Sequence, residues 1–173
     1  MNRGSLVICP SDYDGLKDCL NRVLHSKKII IACIGTEIRQ DDRAGLEVCK
    51  KIKYKDNTVL CEFGLENCLT ELRDKNFEYL VIIDGVFIED IKPGEIIVSK
   101  LDKVVEDYMI TTHSIPLSAS INLLKKLVDF KDTIIIGIRV KNLGYGFEVS
   151  EPVKSAIDKL ASALNEILGE TYQ

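Results

Sequence analysis

The segment Lys28–Cys49 constrains the fold more than any other part of the chain. It opens with an uninterrupted apolar run at 29–34, which is typical of a buried strand. Gly35 ends this run, a polar loop leads to Asp41 and Asp42, and apolar residues then recur at helical spacing. The loop therefore follows the carboxyl end of a strand, which is where open α/β sheets bind their ligands.

Strand and helix patterns alternate along the rest of the chain. Apolar runs predict further strands at 58–61, 79–83, 95–98 and 133–140, and helical spacing predicts helices at 11–24, 41–53, 117–128 and 150–168. The run at 79–83 is continuously apolar and is expected at the sheet centre, whereas 95–98 is expected as an antiparallel edge strand. We predict an α/β fold: a three-layer sandwich with a mostly parallel (mixed) sheet of about five strands and helices on both faces.

The length of 173 residues indicates a single domain spanning residues 1–173. Within it, residues 1–27 form an N-terminal helical extension, whose helix is predicted to begin with a capping box at Ser11 and Asp14. Residues 28–168 form the core. The segment 141–149 contains two glycines and is predicted to be a flexible connection.

Composition excludes several classes of protein. The net charge of -4 argues against a nucleic-acid surface, which would require a basic face. No apolar stretch is long enough for a signal peptide or a membrane span. The six cysteines show no C-x-x-C pair, which favours reduced thiols. We therefore expect a cytoplasmic protein that binds neither nucleic acid nor membrane.

Three side chains are candidates for one metal site. Asp42 follows the strand at 29–34, Asp84 ends the run at 79–83, and His113 precedes the helix at 117–128. If the strands are parallel, all three point into one crevice. Two carboxylates and an imidazole suit a divalent first-row metal.

Each of these residues also has an ordinary structural explanation. An aspartate before a helix is a common N-cap, and this is our interpretation of Asp41. Asp84 before Gly85 suits a turn, and His113 suits a hydrogen-bonded structural histidine. For each residue alone, the structural explanation is favoured. The common topological position of the three residues favours the metal site. Spacing alone leaves both explanations open.

Other catalytic motifs do not occur in the sequence. There is no G-x-G-x-x-G or G-K-[ST] phosphate loop, no G-x-S-x-G nucleophile elbow and no H-E-x-x-H zinc motif. Cys33 lies inside an apolar strand and has no histidine near it in sequence, so a thiol nucleophile has little support.

The acidic loop resembles a known family signature. Gly35-Thr-Glu-Ile-Arg-Gln-Asp-Asp-Arg-Ala-Gly45 is similar to the N-terminal signature of the nickel–iron hydrogenase maturation endopeptidases. Over about residues 28–168, further segments resemble motifs of that family and occur in the same order. They are Glu62–Asn67, Ile83–Val86 followed by Pro93–Gly94, Thr112–Leu117 and Ile136–Ile138. The sequence departs from the family at three positions, where Cys33, Thr36 and Arg43 replace a glycine, an asparagine and often a glycine.

The resemblance implies a function and a ligand set. It implies a mixed sheet between helices and an endopeptidase that removes the C-terminal extension of a hydrogenase large-subunit precursor once nickel is in place. It assigns Asp42, Asp84 and His113 to the nickel that the substrate carries. Glu62 and Glu66 are lesser candidates for lining the same crevice.

We therefore predict an aspartic or metal-assisted endopeptidase of hydrogenase maturation, with nickel supplied by the substrate. The metal could polarise the scissile carbonyl, activate water or serve recognition alone. One alternative is a non-catalytic nickel-binding accessory or chaperone module that uses the same three ligands. A second is a small metal-dependent hydrolase of other substrates.

Overall fold

A mixed six-stranded sheet forms the middle of the part of the chain described by the structure. The computed structural model describes residues 6–101, 103–108 and 115–172. The strands are β1 (Val7–Ile8), β2 (Ile29–Gly35), β3 (Thr58–Glu62), β4 (Tyr79–Val86), β5 (Ile96–Lys100) and β6 (Asp132–Arg139). Their order across the sheet is β1-β5-β6-β4-β2-β3. The strands β6, β4, β2 and β3 are parallel, and β5 and β1 are antiparallel to their neighbours.

Helices cover both faces of this sheet. They are α1 (Tyr13–Leu24), α2 (Ala44–Lys51), α3 (Leu69–Arg73), α4 (Lys103–Tyr108), α5 (Leu117–Lys125) and α6 (Glu151–Tyr172), with 3-10 turns at Gln40–Arg43, Lys55–Asn57 and Leu65–Cys68. One core cluster joins α1, α2 and α6 to the sheet, and a second joins α3 and α5 to the opposite face. The predicted α/β class, with a mostly parallel sheet and helices on both faces, is confirmed.

The central strands are buried on both faces because every second side chain enters a different cluster. In β2, Ile29 and Ile31 belong to the first cluster, and Ile30 and Ala32 belong to the second. All seven residues of β2 are buried. This double burial is the reason that the central strands have continuous apolar sequences, as parallel strands between helical layers do.

Two details of the N-terminal region and the sheet edge differ from the sequence predictions. β5 is antiparallel as predicted, but it is not an edge strand, because β1 pairs with its outer side. A strand of two residues has too few positions to produce a recognisable alternation. The N-cap of α1 is Asp12, whose Oδ1 accepts a hydrogen bond from the Gly15 backbone N at 2.8 Å, so the predicted cap at Ser11 is wrong.

The prediction of reduced thiols is also wrong. The six cysteines form three disulfides, which join Cys9 to Cys19, Cys33 to Cys49 and Cys61 to Cys68. The paired Cα atoms are 5.3 to 6.1 Å apart, a separation that a disulfide spans without backbone movement. Two pairs join a strand to the helical segment that follows it, and Cys9–Cys19 joins the segment after β1 to α1. Spacing in the sequence does not reveal this proximity. Among the described helices, none is both long and apolar enough to cross a membrane.

Candidate active site

Asp42 lies at the carboxyl ends of two adjacent strands. It belongs to the 3-10 turn Gln40–Arg43, which connects β2 to α2 and contacts both β2 and β4. The side chain of Asp42 is fully buried. Its backbone carbonyl O accepts a hydrogen bond from the Thr36 backbone N at 3.4 Å, so the turn folds back onto the end of β2.

Two glycines make this close approach possible. Gly35 has φ +155°, and a Cβ there would lie 2.2 Å from the backbone O of Asp42. A Cβ on Gly45 would lie 2.2 Å from the backbone O of Ile34 and 2.6 Å from that of Ile83. Because these contacts are to backbone atoms, which cannot rotate away, only glycine lets the turn and the start of α2 lie against β2 and β4.

Asp84 occupies the corresponding place on the neighbouring strand. It lies in β4 directly after Ile83, which pairs with Cys33 of β2. Its side chain is fully buried, and its Oδ1 accepts a hydrogen bond from the Gly85 backbone N at 2.7 Å. Two buried carboxylates therefore lie near the carboxyl ends of adjacent parallel strands. Burying a carboxylate carries a desolvation cost, and such groups concentrate at functional sites.

The third predicted ligand, His113, lies outside the described residues. The predicted convergence of Asp42, Asp84 and His113 therefore stays a prediction. Within the residues that the structure describes, no group of three or more histidine, cysteine or acidic side chains is placed to hold a metal ion.

The lesser candidates, Glu62 and Glu66, lie in and just after β3, which flanks β2 on the side opposite to β4. Glu62 ends β3, pairs with Gly35 of β2 and is exposed. Glu66 lies in the following 3-10 turn and is half-buried, and its Oε2 accepts a hydrogen bond from the Ser120 Oγ at 3.5 Å. Both residues are thus at the same edge of the sheet as Asp42.

The interpretation of Asp41 as a helix cap is wrong. Neither the 3-10 turn nor α2 has a side-chain cap hydrogen bond. Instead, the buried Asp41 carboxylate accepts four hydrogen bonds of 2.7 to 2.8 Å, from the backbone N atoms of Lys141, Asn142 and Ser150 and from the Ser150 Oγ. Asp41 therefore fixes the beginning and the end of the connection between β6 and α6 against the turn that carries Asp42.

The segment 141–149, predicted to be a flexible connection, is held along its length. The Gln40 backbone N donates to the Gly146 O at 2.9 Å, and the Gly146 N donates to the Ile38 O at 3.0 Å. The Arg39 side chain donates to the Leu143 carbonyl O through Nε at 3.2 Å and Nη2 at 3.0 Å. These partners lie about 100 positions apart in the sequence, so local composition could not predict them.

The acidic side chains on the outer side of the turn and α2 are held as ion pairs. The hydrogen bond from Lys50 lowers the pKa of Glu37. Burial raises the pKa of Glu47, but hydrogen bonds from Lys50 and Arg43 outweigh this effect and lower it. Because these two carboxylates are engaged by cations, they are poor candidates for a ligand site at this edge.

Comparisons with known proteins identify the family. The family model described as hydrogenase maturation protease matches residues 44–167. The hydrogenase 3 maturation protease of Escherichia coli K12 is 30% identical over 139 residues, covering 78% of this chain and 87% of that protein. A relative from Methanocaldococcus jannaschii is 31% identical over 163 residues, covering 87% of this chain and 94% of its own length.

A solved structure shares the fold. The crystal structure of a [NiFe] hydrogenase maturation protease from Thermococcus kodakarensis KOD1 superposes with a TM-score of 0.74 at 26% identity, over 87% of this chain and 99% of that chain. The family match begins two residues after Asp42, so the position of Asp42 at the site depends on the geometry described above. The resemblance seen in the sequence motifs is confirmed, and the chain belongs to the hydrogenase maturation protease family.

Proposed function

We propose that this protease removes the C-terminal extension of a nickel-loaded [NiFe]-hydrogenase large-subunit precursor. In this proposal, the carboxylates of Asp42 and Asp84 and the imidazole of His113 bind the nickel that the precursor carries. The reaction is hydrolysis of one peptide bond in the cytoplasm. Three disulfides would be compatible with that location in a hyperthermophile, whose intracellular proteins are rich in disulfides.

The observation that carries the proposal is the placement of Asp42 and Asp84. Both carboxylates are buried near the carboxyl ends of adjacent parallel strands, which is the ligand-binding edge of an α/β sheet. Carboxylate and imidazole ligands without a thiolate form a hard site of modest affinity for nickel. We therefore expect the purified chain to hold little metal. The substrate would bring its own nickel, and the ion would identify a precursor that is ready for processing.

A cleavage assay tests this proposal. Nickel-loaded and nickel-free precursor are incubated with the protease without added metal, and the shortened product is followed by mass spectrometry. We expect cleavage of the nickel-loaded precursor alone, and loss of cleavage in Asp42→Asn and Asp84→Asn. Asp56→Asn, at an exposed aspartate in a distant 3-10 turn, is the matched control and should cleave normally.

The possible outcomes separate the alternatives. Equal cleavage of both precursors would contradict recognition through the substrate's nickel, and with it the role given to Asp42, Asp84 and His113. Binding of the nickel-loaded precursor without cleavage would favour the accessory or chaperone module. Turnover of simple esters or unrelated peptides would favour a general metal-dependent hydrolase.

A further inference from the structure

Large apolar side chains are exposed around the edge of the sheet that contains Asp42 and Asp84. Each lies in a loop that follows one of the four parallel strands. Ile38 follows β2, Phe63 follows β3, Phe87 follows β4, and Tyr145 and Phe147 follow β6. We call these five side chains the apolar rim. Large apolar side chains that are exposed at one edge of a site indicate an interaction surface.

Tyr145 and Phe147 are the most exposed members of the rim. They are 83% and 74% exposed, and each of the other three is less than half exposed. Gly146 lies between them and exchanges backbone hydrogen bonds with Ile38 and Gln40, so the two aromatic residues flank the loop after β2. This loop leads within a few residues to Asp42.

The backbone that presents these aromatic rings is fixed before any partner binds. Asp41 holds both ends of the 141–150 segment, and the Arg43 Nη1 donates to the Phe147 carbonyl O at 2.9 Å. The Arg39 Cζ lies 5.8 Å from the centroid of the Tyr145 ring. A fixed backbone lowers the entropy lost on association, and rigid aromatic side chains are common hot spots of protein interfaces.

A cleft of about 590 Å³ continues from Phe147 between α2 and α6. Its other lining residues include Glu47, Glu151, Lys154 and Ile157, so it combines apolar surface with charges of both signs. A cleft of this kind suits an extended peptide with mixed side chains. It begins beside the turn that carries Asp42, because Arg43 belongs to both the turn and the cleft wall.

We propose that Ile38, Tyr145 and Phe147 form the docking surface for the protein substrate, whose extended segment places apolar side chains on these three residues and continues into the cleft. This inference depends on the proposed function for the identity of the substrate, the hydrogenase large-subunit precursor. The location of the rim favours the precursor as its partner. A polypeptide that is cleaved near Asp42 and Asp84 must cross the edge of the sheet at which the rim lies. In this arrangement the rim contributes affinity for the precursor, whereas the carboxylates of Asp42 and Asp84 bind the nickel ion that the precursor carries.

The test compares Tyr145→Ser/Phe147→Ser with a matched control, Leu123→Ser/Leu127→Ser. The control removes two large apolar side chains, each 48% exposed, at or just after α5 on the other face of the sheet. Binding of the precursor is measured by isothermal titration calorimetry, and processing is measured separately over a range of precursor concentrations. We expect the rim variant to bind about tenfold more weakly or worse, with a raised KM and an almost unchanged kcat. The control should match the wild type, and both variants should retain the wild-type free energy of unfolding.

Separate results overturn the docking inference and the proposed function. Wild-type binding and KM in the rim variant would overturn the docking inference while leaving the proposed function intact. Absence of cleavage by the wild type would contradict the proposed function, but the binding measurement would still decide on docking. Analytical ultracentrifugation tests whether a second copy of the chain binds the rim instead. If the wild type is a dimer, and the rim variant is a monomer that binds the precursor normally, the rim is a dimer interface and the inference is overturned.

Discussion

At the scale of single residues, two adjacent aspartates have different environments. Asp42 lies buried in the turn that contacts β2 and β4, whereas the Asp41 carboxylate accepts four hydrogen bonds from the connection between β6 and α6. Hydrogen bonds to an ionised acceptor are stronger than neutral ones, and removing the charge leaves buried donors poorly satisfied. Asp41 is therefore a structural residue whose loss would affect the site through the position of its neighbour.

We predict that Asp41→Asn lowers the free energy of unfolding by about 3 kcal/mol. The loss exceeds the ~1 kcal/mol typical of a helix cap, because an amide NH₂ group would face backbone donors inside the protein. Urea denaturation measures the change, and Asp56→Asn, at an exposed aspartate, should stay within about 0.5 kcal/mol of the wild type. A loss of only ~1 kcal/mol would contradict the role of Asp41 as a clamp.

At the scale of elements, polar contacts attach α1 to α6. The Lys17 Nζ and the Tyr13 hydroxyl both donate to the Glu166 carboxylate at 2.6 Å. These hydrogen bonds, first that of Lys17 and then that of Tyr13, lower the pKa of Glu166 from its ordinary value of 4.5. Burial and the hydrogen bond to Glu166 raise the pKa of Tyr13 to about 12. The helices also share the first core cluster, so the polar contacts supplement apolar packing.

The sign of the Glu166 shift predicts a pH dependence. Because its pKa is lower in the folded state, its stabilisation is present above pH 4.5 and is lost as the pH falls through the folded pKa. We expect Glu166→Gln to be less stable than the wild type at pH 7, by an amount that shrinks on acidification below pH 4.5 and in high salt. Denaturation across pH measures this difference.

Glu89→Gln, at an exposed glutamate in the loop after β4, is the control for this series and should follow the wild type at every pH. A difference between Glu166→Gln and the wild type that stays constant from pH 7 to pH 2 would show that packing, and not the charge, is what the substitution removes.

At the scale of the whole molecule, two of the three disulfides connect elements that carry acidic residues of the candidate site. Cys33–Cys49 joins β2 to α2 and so encloses the acidic turn, while Cys61–Cys68 encloses the loop that contains Glu62 and Glu66. Cys9–Cys19 joins the segment after β1 to α1. A covalent link of this kind stabilises mainly by restricting the unfolded chain. Disulfides therefore restrict both segments that contain the acidic residues at this edge of the sheet, 33–49 and 61–68.

We predict that Cys33→Ala/Cys49→Ala lowers the free energy of unfolding by about 3 kcal/mol, the value expected for a loop of this length. A reductant should destabilise the wild type by at least as much, because it opens all three links. Thiol titration in denaturant should find no free thiol before reduction and six after it. Six free thiols in the native protein before reduction, with no effect of reductant on stability, would contradict the pairing.

The sequence by itself determined the features that local physics sets. Continuous apolar runs marked the central strands because both faces of those strands are covered, and helical spacing marked the layers that cover them. The turn after β2 could be located because Gly35 and Gly45 bracket it, and the chain order of strands and helices placed Asp42 and Asp84 at one edge of the sheet.

Only the tertiary structure decided which distant groups meet. Asp41 looked like a helix cap because its hydrogen-bond donors lie about 100 positions away, and the 141–149 segment looked flexible for the same reason. The cysteines looked unpaired because their proximity arises from packing between strands and helices. Short-range patterns record the burial and backbone geometry of each element, whereas buried hydrogen bonds, disulfides and the exposed apolar rim depend on how the elements pack against one another.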